Sequence, residues 1–267
     1  IPICNEIMEE AKKRITKMLE IITTQRYATI PELAASFEVS EMTIRRDLEV
    51  LEGSGMIKVV RGTAIPNADI NQGIISSPEY NLVVEVGVNT IEKSNIGKFA
   101  VSLIKPGDSI ILDTGTTTEQ IAKNIPLSIP IKVMCNNLNN LLQLKNKGNV
   151  ELMVAGGSYK QNTQLFTSEM GVNYIQGFRF NKAFISAAGL HPKYGITCKE
   201  GYEVPMKKAM ISAALEKILV LDSSKLGKVE NAYFADLSEI DSIITNGPIP
   251  DEWKETFRQM GKKLYLV

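Results

Sequence analysis

From residue 92 to the end, short apolar runs alternate with helix-patterned segments. This alternation restricts that part of the chain to an α/β layer fold. Apolar runs at 109–113, 131–135, 150–154, 183–187, 218–221, 242–245 and 263–267 have strand length. Between them, 96–103, 117–124, 138–144 and 204–215 read as helices. Strands this apolar are buried on both faces, so a largely parallel sheet with helices on each side is expected.

The N-terminal part follows a different rule. Ile7, Met8, Ala11, Ile15, Met18, Leu19 and Ile22 recur at three- and four-residue steps, as on an amphipathic helix. A second helix is expected after Thr29, whose spacing to Glu32 is that of a capping box, with Pro31 in a first turn that tolerates it. A third helix is expected after the N-cap Ser40, with Ile44, Leu48 and Leu51 as its buried stripe and Gly53 and Gly55 as its stop. The residues from Met56 to Thr63 read as two short strands about a tight turn. Three helices and a strand pair within some sixty residues fit a winged helix-turn-helix.

Polar, glycine and proline residues between 66 and 90 sustain no period and read as a linker. The expected organisation is a DNA-binding domain over 1–66, a linker over 67–90 and an α/β domain over 91–267. No apolar run is long enough to span a bilayer, and the N-terminal stretch mixes acids and bases instead of an apolar leader, so neither membrane nor secretion is expected. Cys4, Cys135 and Cys198 form no C-x-x-C pair, which fits a reducing, cytoplasmic setting. With one histidine, His191, in a polar loop before Pro192, no metal centre, cofactor or histidine-based catalysis is expected.

On a helical wheel the third helix turns Met42, Arg45, Arg46 and Glu49 away from its apolar stripe. Recognition helices contact bases with their first residues, and the guanidinium fork suits both phosphates and guanine edges. Met42, Thr43, Arg45 and Arg46 are therefore the candidate base- and backbone-reading residues, with Lys58 and Arg61 on the hairpin reaching neighbouring backbone or minor groove. Residues 1–64 hold nine Lys or Arg against ten Asp or Glu, so the domain is not basic overall and composition alone also allows a merely solvated face.

The segment Asp113-Thr114-Gly115-Thr116-Thr117-Thr118 joins an expected strand to a helix. Its glycine permits close backbone approach, and its hydroxyls and free N–H groups suit a phosphate at a helix N-terminus. The same pattern suits a plain capped turn. No Gly-Lys-Ser/Thr follows, so it is not a Walker A loop. Asn136, Gly156, Gly157 and Lys225 follow other strands, at the carboxyl ends where ligands of open α/β sheets collect. Each has a plain alternative: a helix cap for Asn136, turns for the glycines, an exposed charge for Lys225. Asp113, Glu203 and Asp222 are equally readable as acceptors for ligand hydroxyls or as bases.

The run Ser40-Glu41-Met42-Thr43-Ile44-Arg45-Arg46-Asp47-Leu48-Glu49-Val50-Leu51-Glu52 resembles the recognition-helix signature, S-x-x-T-I-R-R-D-L-x-x-L-E, of the DeoR family of bacterial sugar-operon repressors. The likeness continues through Glu92-Lys93, 113–117, Asn136, Gly156-Gly157, 184–189, 195–197, Glu203, Lys207, 222–225 and Ile244-Thr245. It implies a Rossmann-like sensor domain resembling phosphosugar isomerases such as ribose-5-phosphate isomerase and glucosamine-6-phosphate deaminase. It also implies a phosphorylated sugar effector held by Asp113, Gly115, Thr116, Thr117, Thr118, Asn136, Gly156, Gly157, Glu203 and Lys225, with double-stranded operator DNA and further copies of the chain, as a dimer or tetramer, for partners. The wing departs from the family's R-x-H-G-G-A at Arg61 and Thr63, Cys135 stands where threonine is frequent, and Asn246 where aspartate is usual. A DNA-binding regulator, not an enzyme, is expected. The alternatives are a sugar-phosphate isomerase or deaminase, and a DNA-binding protein whose second domain serves assembly alone.

Overall fold

The computed structural model describes residues 2–53, 56–67 and 89–267. The expected linker lies outside them over 68–88, as do Gly55 and the side chains of Cys4, Ile7 and Met8. The chain divides into two compact units, Ile1–Val88 and Asn89–Val267.

The first unit runs α1 (Pro2–Gln25), β1 (Ala28–Thr29), α2 (Ile30–Phe37), α3 (Glu41–Gly53), β2 (Ile57–Val60) and β3 (Thr63–Pro66). Thr29 ends β1 and caps α2: its hydroxyl accepts from Glu32 N (3.3 Å), while the Glu32 carboxylate accepts from Thr29 N (3.2 Å). Thr43 N donates to Ser40 Oγ (3.2 Å), so Ser40 caps α3. Ile44, Leu48 and Leu51 bury their stripe against Met18, Ile22, Ile30 and Leu33. Arg14 Nε donates to Asp47 Oδ2 (2.6 Å), an ion pair joining α1 to α3. The small sheet has three strands, ordered β1-β3-β2, where the sequence suggests two. The extra strand is two residues long and pairs through Ala28↔Ala64 and Thr29↔Thr63.

The second unit contains α4 (Thr90–Ser102), β4 (Ser109–Leu112), α5 (Thr116–Asn124), β5 (Ile131–Cys135), α6 (Leu138–Leu144) and β6 (Val150–Val154). A hairpin of β7 (Ser158–Lys160) and β8 (Leu165–Thr167) leads to α7 (Glu169–Gln176) and β9 (Phe180–Ser186). Then come β10 (Gly189–His191), β11 (Gly195–Cys198), α8 (Val204–Ala213), β12 (Ala214–Val220), β13 (Ala232–Ala235), β14 (Ser242–Thr245), α9 (Asp251–Gln259) and β15 (Lys263–Leu266).

Seven strands form one sheet, ordered β15-β14-β12-β9-β4-β5-β6 and parallel throughout. Side chains alternate between its faces. Ile110 and Leu112 join Ile96, Ala100, Ile121 and Leu144 beneath α4, α5 and α6. Ile111 joins Ile175, Met210, Trp253 and Phe257 beneath α7, α8 and α9. The strands progress outward in one direction from β4 to β6 and in the other from β9 to β15, so the order reverses between β4 and β9. Crevices at such switch points, outside the carboxyl ends of the strands, are where open α/β sheets bind ligands.

Candidate ligand site and nucleic-acid interface

Asp113 leaves β4 at that reversal. Its side chain is 1% exposed, and its carboxylate is fully engaged. Oδ1 accepts from Thr114 N (2.7 Å); Oδ2 accepts from Ser186 N (2.9 Å), Ser186 Oγ (3.2 Å) and Lys207 Nζ (2.5 Å). Its carbonyl oxygen accepts from Thr118 Oγ1 (2.6 Å), Asn140 Nδ2 (3.0 Å) and Asn137 Nδ2 (3.2 Å). The expectation that Asp113 receives sugar hydroxyls is therefore corrected. The residue turns inward and fixes the floor of the loop, because an ammonium and two N–H groups already occupy its oxygens.

Gly115 precedes α5 with φ +149, a left-handed conformation costly for any other residue, and a Cβ there would stand 2.7 Å from Ser186 Oγ. No side chain caps this helix. Thr118 does not face outward as expected: its hydroxyl folds back onto Asp113 O and, at 2.9 Å, Gly115 O. Thr116 and Thr117 are largely buried, and their hydroxyls make no hydrogen bond among the described residues. The N–H groups of this first turn, which an α-helix leaves without internal partners, lie beside the reversal and favour an anion.

Asn136 follows β5, and the cap of α6 is not Asn136 but Asn137, whose side chain accepts from Asn140 N (2.8 Å). Asn136 is fully buried, and both polar atoms of its amide are without a partner among the described residues. A buried amide with nothing to bond costs about 1–3 kcal/mol.

Gly156 and Gly157 follow β6 and open the β7–β8 hairpin. That hairpin folds back over the loop: Thr114 Oγ1 donates to Thr163 O (3.3 Å), and Phe166 N to Asn136 O (2.7 Å). Tyr202 OH secures it through Asn162 Oδ1 (2.7 Å) and Thr163 Oγ1 (3.2 Å). On the other flank, Asp222 caps a single turn, Ser223–Lys225, that carries the half-buried Lys225 after β12. At roughly 4.8 Å per strand, the ends of β6 and β12 are about 19 Å apart along the sheet. The structure thus groups 113–118 with Asn136 and sets Gly156–Gly157 and Lys225 on opposite flanks.

Two residues at the centre entered the sequence reading only through the family likeness, with no role assigned to them. Lys207 is buried on α8, among Met206, Ala209 and Met210, and Ser186 ends β9. Lys207 Nζ also donates to Ser186 O (3.1 Å), stands 3.9 Å from Glu203 Oε2 and lies 5.0 Å from the centre of the Phe234 ring. Burial alone would lower its pKa, but Asp113 and Glu203 outweigh it and hold the ammonium above its ordinary value. Glu203, buried in turn, is pushed up to about 7, chiefly by desolvation, with Lys207 opposing and Asp113 reinforcing the rise. The available signal was a lysine four residues after Glu203 on an otherwise apolar helix face.

In the first unit, Met42 is 72% exposed, and Arg45 and Arg46 are exposed beside it on the face opposite Ile44 and Leu48. Arg45 meets Glu41 at 3.7 Å, a solvated pair of little energetic consequence. Thr43 is drawn into the cap, its hydroxyl 2.9 Å from Ser40 Oγ. Lys58 is exposed on β2. Arg61 occupies the tip of the wing with φ 49, followed by Gly62 with φ 82, and Val60 pairs with Thr63. Two central residues of positive φ make a type I′ hairpin, so the departure from the family's wing sequence still yields a two-residue turn.

Comparison with known proteins agrees with this division. The profile of the DeoR-like helix-turn-helix domain matches residues 14–69, and that of the DeoR C-terminal sensor domain matches 88–247. The lactose phosphotransferase system repressor of Lactococcus lactis subsp. lactis is 31% identical, over 93% of this chain and 96% of its own length. The deoxyribose operon repressor of Escherichia coli strain K12 is also 31% identical, over 91% and 93%. Among solved structures, ribose 5-phosphate isomerase A of Methanocaldococcus jannaschii is similar over 53% of this chain and 56% of that chain, with 17% identity and a TM-score of 0.39. Since the sensor profile spans more than half of the chain and both repressors align along nearly its whole length, the chain belongs to the DeoR family.

Proposed function

We propose that this protein is a repressor of a carbohydrate-utilisation operon that binds operator DNA through α3 and is controlled by a phosphorylated sugar. The observation that carries the effector assignment is the uncapped start of α5 at the sheet's topological switch point, with Thr116 and Thr117 beside it and the unpartnered amide of Asn136 at the adjoining strand end. The phosphate rests on the N–H groups and hydroxyls of that turn. Lys225 supplies a point charge from the β12 side, Asn136 bonds the sugar, and Asp113 holds the turn from beneath. The relatives named above are repressors of sugar operons, which supports the same assignment.

DNA recognition falls to Met42, Arg45 and Arg46 at the start of α3, with Lys58 and Arg61 on the wing. One winged unit reads few base pairs, so the active form is a homo-oligomer, at least a dimer, joined mainly through 91–267.

Calorimetry with sugar phosphates, paired with mobility shifts on operator DNA, tests this reading. The parent binds one class of sugar phosphate saturably and changes its operator affinity. Lys225→Ala keeps operator affinity and salt dependence but loses the response. Full effector affinity in both Lys225→Ala and Thr116→Ala would move the site elsewhere. Light scattering that finds a monomer with and without DNA would reject the assembly.

A second reading, a sugar-phosphate isomerase, has one observation in its favour: Glu203 is held near neutral pH beside Lys207 and Asp113, as suits a group that moves a proton. Conversion of the sugar phosphate during the same incubations would select it.

A further inference from the structure

Asn89 is the first residue of the sensor unit, and its backbone is left-handed, with φ 52. It stands at the N-cap of α4 but makes no side-chain cap bond. An asparagine in this position ordinarily accepts from an N–H two or three residues on. Here the amide reaches across the sequence instead: Nδ2 donates to Asp222 Oδ1 (2.8 Å) and lies 3.3 Å from Ser224 Oγ.

Asp222 is buried and organises the turn that carries Lys225. Its Oδ1 also accepts from Ser224 N (3.1 Å) and from the Ser224 hydroxyl, and Lys225 N donates to Asp222 O (3.0 Å). Asn246 fixes the other side: its Oδ1 accepts from Ser223 N (2.8 Å), and its Nδ2 donates to Ser223 Oγ (3.0 Å). The Lys225 turn is thus clamped twice. One clamp is internal to the sheet, between β12 and β14. The other is the residue at which the chain from the DNA-binding unit joins the sensor.

We infer that Asn89 is a positioning residue that transmits occupancy of the Lys225 turn to the segment leading to the DNA-binding unit. This rests on reading Lys225 as an effector contact. Coupling between two sites needs an element whose arrangement both of them bias. The 222–225 turn meets that requirement, because an anion drawn to Lys225 and the amide of Asn89 act on the same short stretch. Asparagine enters the left-handed region more readily than other non-glycine residues, and here side-chain bonds to Asp222 and Ser224 fix it there.

Two variants of the full chain test this. Asn89→Gly keeps the left-handed backbone and removes the amide. Asn89→Asp keeps the shape but replaces the donor with a carboxylate facing Asp222. The probe is whichever of ribose 5-phosphate, glucose 6-phosphate and fructose 1-phosphate binds the parent most tightly by calorimetry. The DNA is a duplex selected by the parent from a random pool. In both variants, affinities for DNA alone and probe alone are expected within about threefold of the parent. The factor by which probe changes DNA affinity, typically about 5–150 in such systems, falls below about two. Amide exchange at Ser224 and Lys225, without probe, accelerates in Asn89→Gly. A purely structural residue would lower both affinities or the Tm and leave the coupling factor in place.

Retention of the parent's coupling, or unchanged exchange at Ser224 and Lys225, overturns the role of Asn89. If Lys225→Ala has meanwhile lost the response, the effector reading stands without it. A parent that binds none of the three probes, or a Lys225→Ala that responds like the parent, overturns the effector reading, and the inference falls with it.

Discussion

Lys207 Nζ stands 2.5 Å from Asp113 Oδ2, and 2% and 1% of the two side chains are exposed. The residues are 94 positions apart, and the contact ties α8 to the loop at the sheet's reversal. Lys207→Met strips a buried acid pair of its only close cation among the described residues. It is expected to cost about 3–5 kcal/mol in urea unfolding, the range for breaking a buried pair by removing one partner. Lys207→Met with Asp113→Asn should recover a large share. A loss below about 1 kcal/mol in the single variant contradicts this account.

Glu203 gives the sensor a pH signature. Its value in the folded chain, about 7, lies above the ordinary 4.5, so the folded state holds this proton more tightly than the unfolded one. The resulting stabilisation is complete below the ordinary value and is lost as pH rises through the folded one, up to about 3 kcal/mol in all. Glu203→Gln keeps an oxygen for Glu200 N but cannot titrate. Its stability relative to the parent should therefore climb between pH 5 and pH 8. A flat difference across that window would show that Glu203 is ionised throughout.

Arg45→Ala and Arg46→Ala together should abolish sequence-specific DNA binding without lowering the Tm, since both side chains are exposed. A single arginine that reads a guanine should cost about 1–3 kcal/mol of discrimination, measured as the affinity ratio of selected to scrambled duplex. Lys58→Ala should weaken all duplexes alike and reduce the slope of log affinity against log salt by about 0.9 if it neutralises one phosphate.

Gly156 and Gly157 should separate under alanine substitution. Gly157 has φ +150, and a Cβ there would sit 2.3 Å from Thr167 O, against the hairpin's own backbone. Gly157→Ala must displace the hairpin and lower the Tm. A Cβ on Gly156 meets nothing within 4 Å. Gly156→Ala should leave the Tm unchanged, and any loss of effector affinity it causes marks the path by which ligand approaches.

Much of this arrangement was legible because it depends on local pattern. Ser40 and the Ile44, Leu48, Leu51 stripe define α3 without help from elsewhere, and the apolar runs at 109–112 and 131–135 leave little choice but strands. The β10–β11–β13 sheet was not legible, since strands of three or four residues such as Gly189–His191 are too short to establish a period. Helix α9 was not read either, since it carries only Trp253 and Phe257 as buried residues. In the site, the residue types at the strand ends were readable, but their orientations were not. Asp113 looked like a ligand acceptor until its four donors were known, three of them from residues 73 and 94 positions away.

Those separations set an order of events during synthesis. The carbonyl of Asp113 finds its partners within 27 residues, as soon as Thr118, Asn137 and Asn140 have been made. One oxygen of its carboxylate is met by the adjacent Thr114 N, but the other waits for Ser186 and then Lys207. Chains emerge N-terminus first, so a protein interrupted between 140 and 207 has the Asp113 loop but no ammonium to pair with its acid. Such a fragment lacks the ammonium that pairs with this carboxylate in the finished domain, where 2% and 1% of the two side chains are exposed. The buried ion pair beneath this loop therefore forms only together with the later half of the sheet.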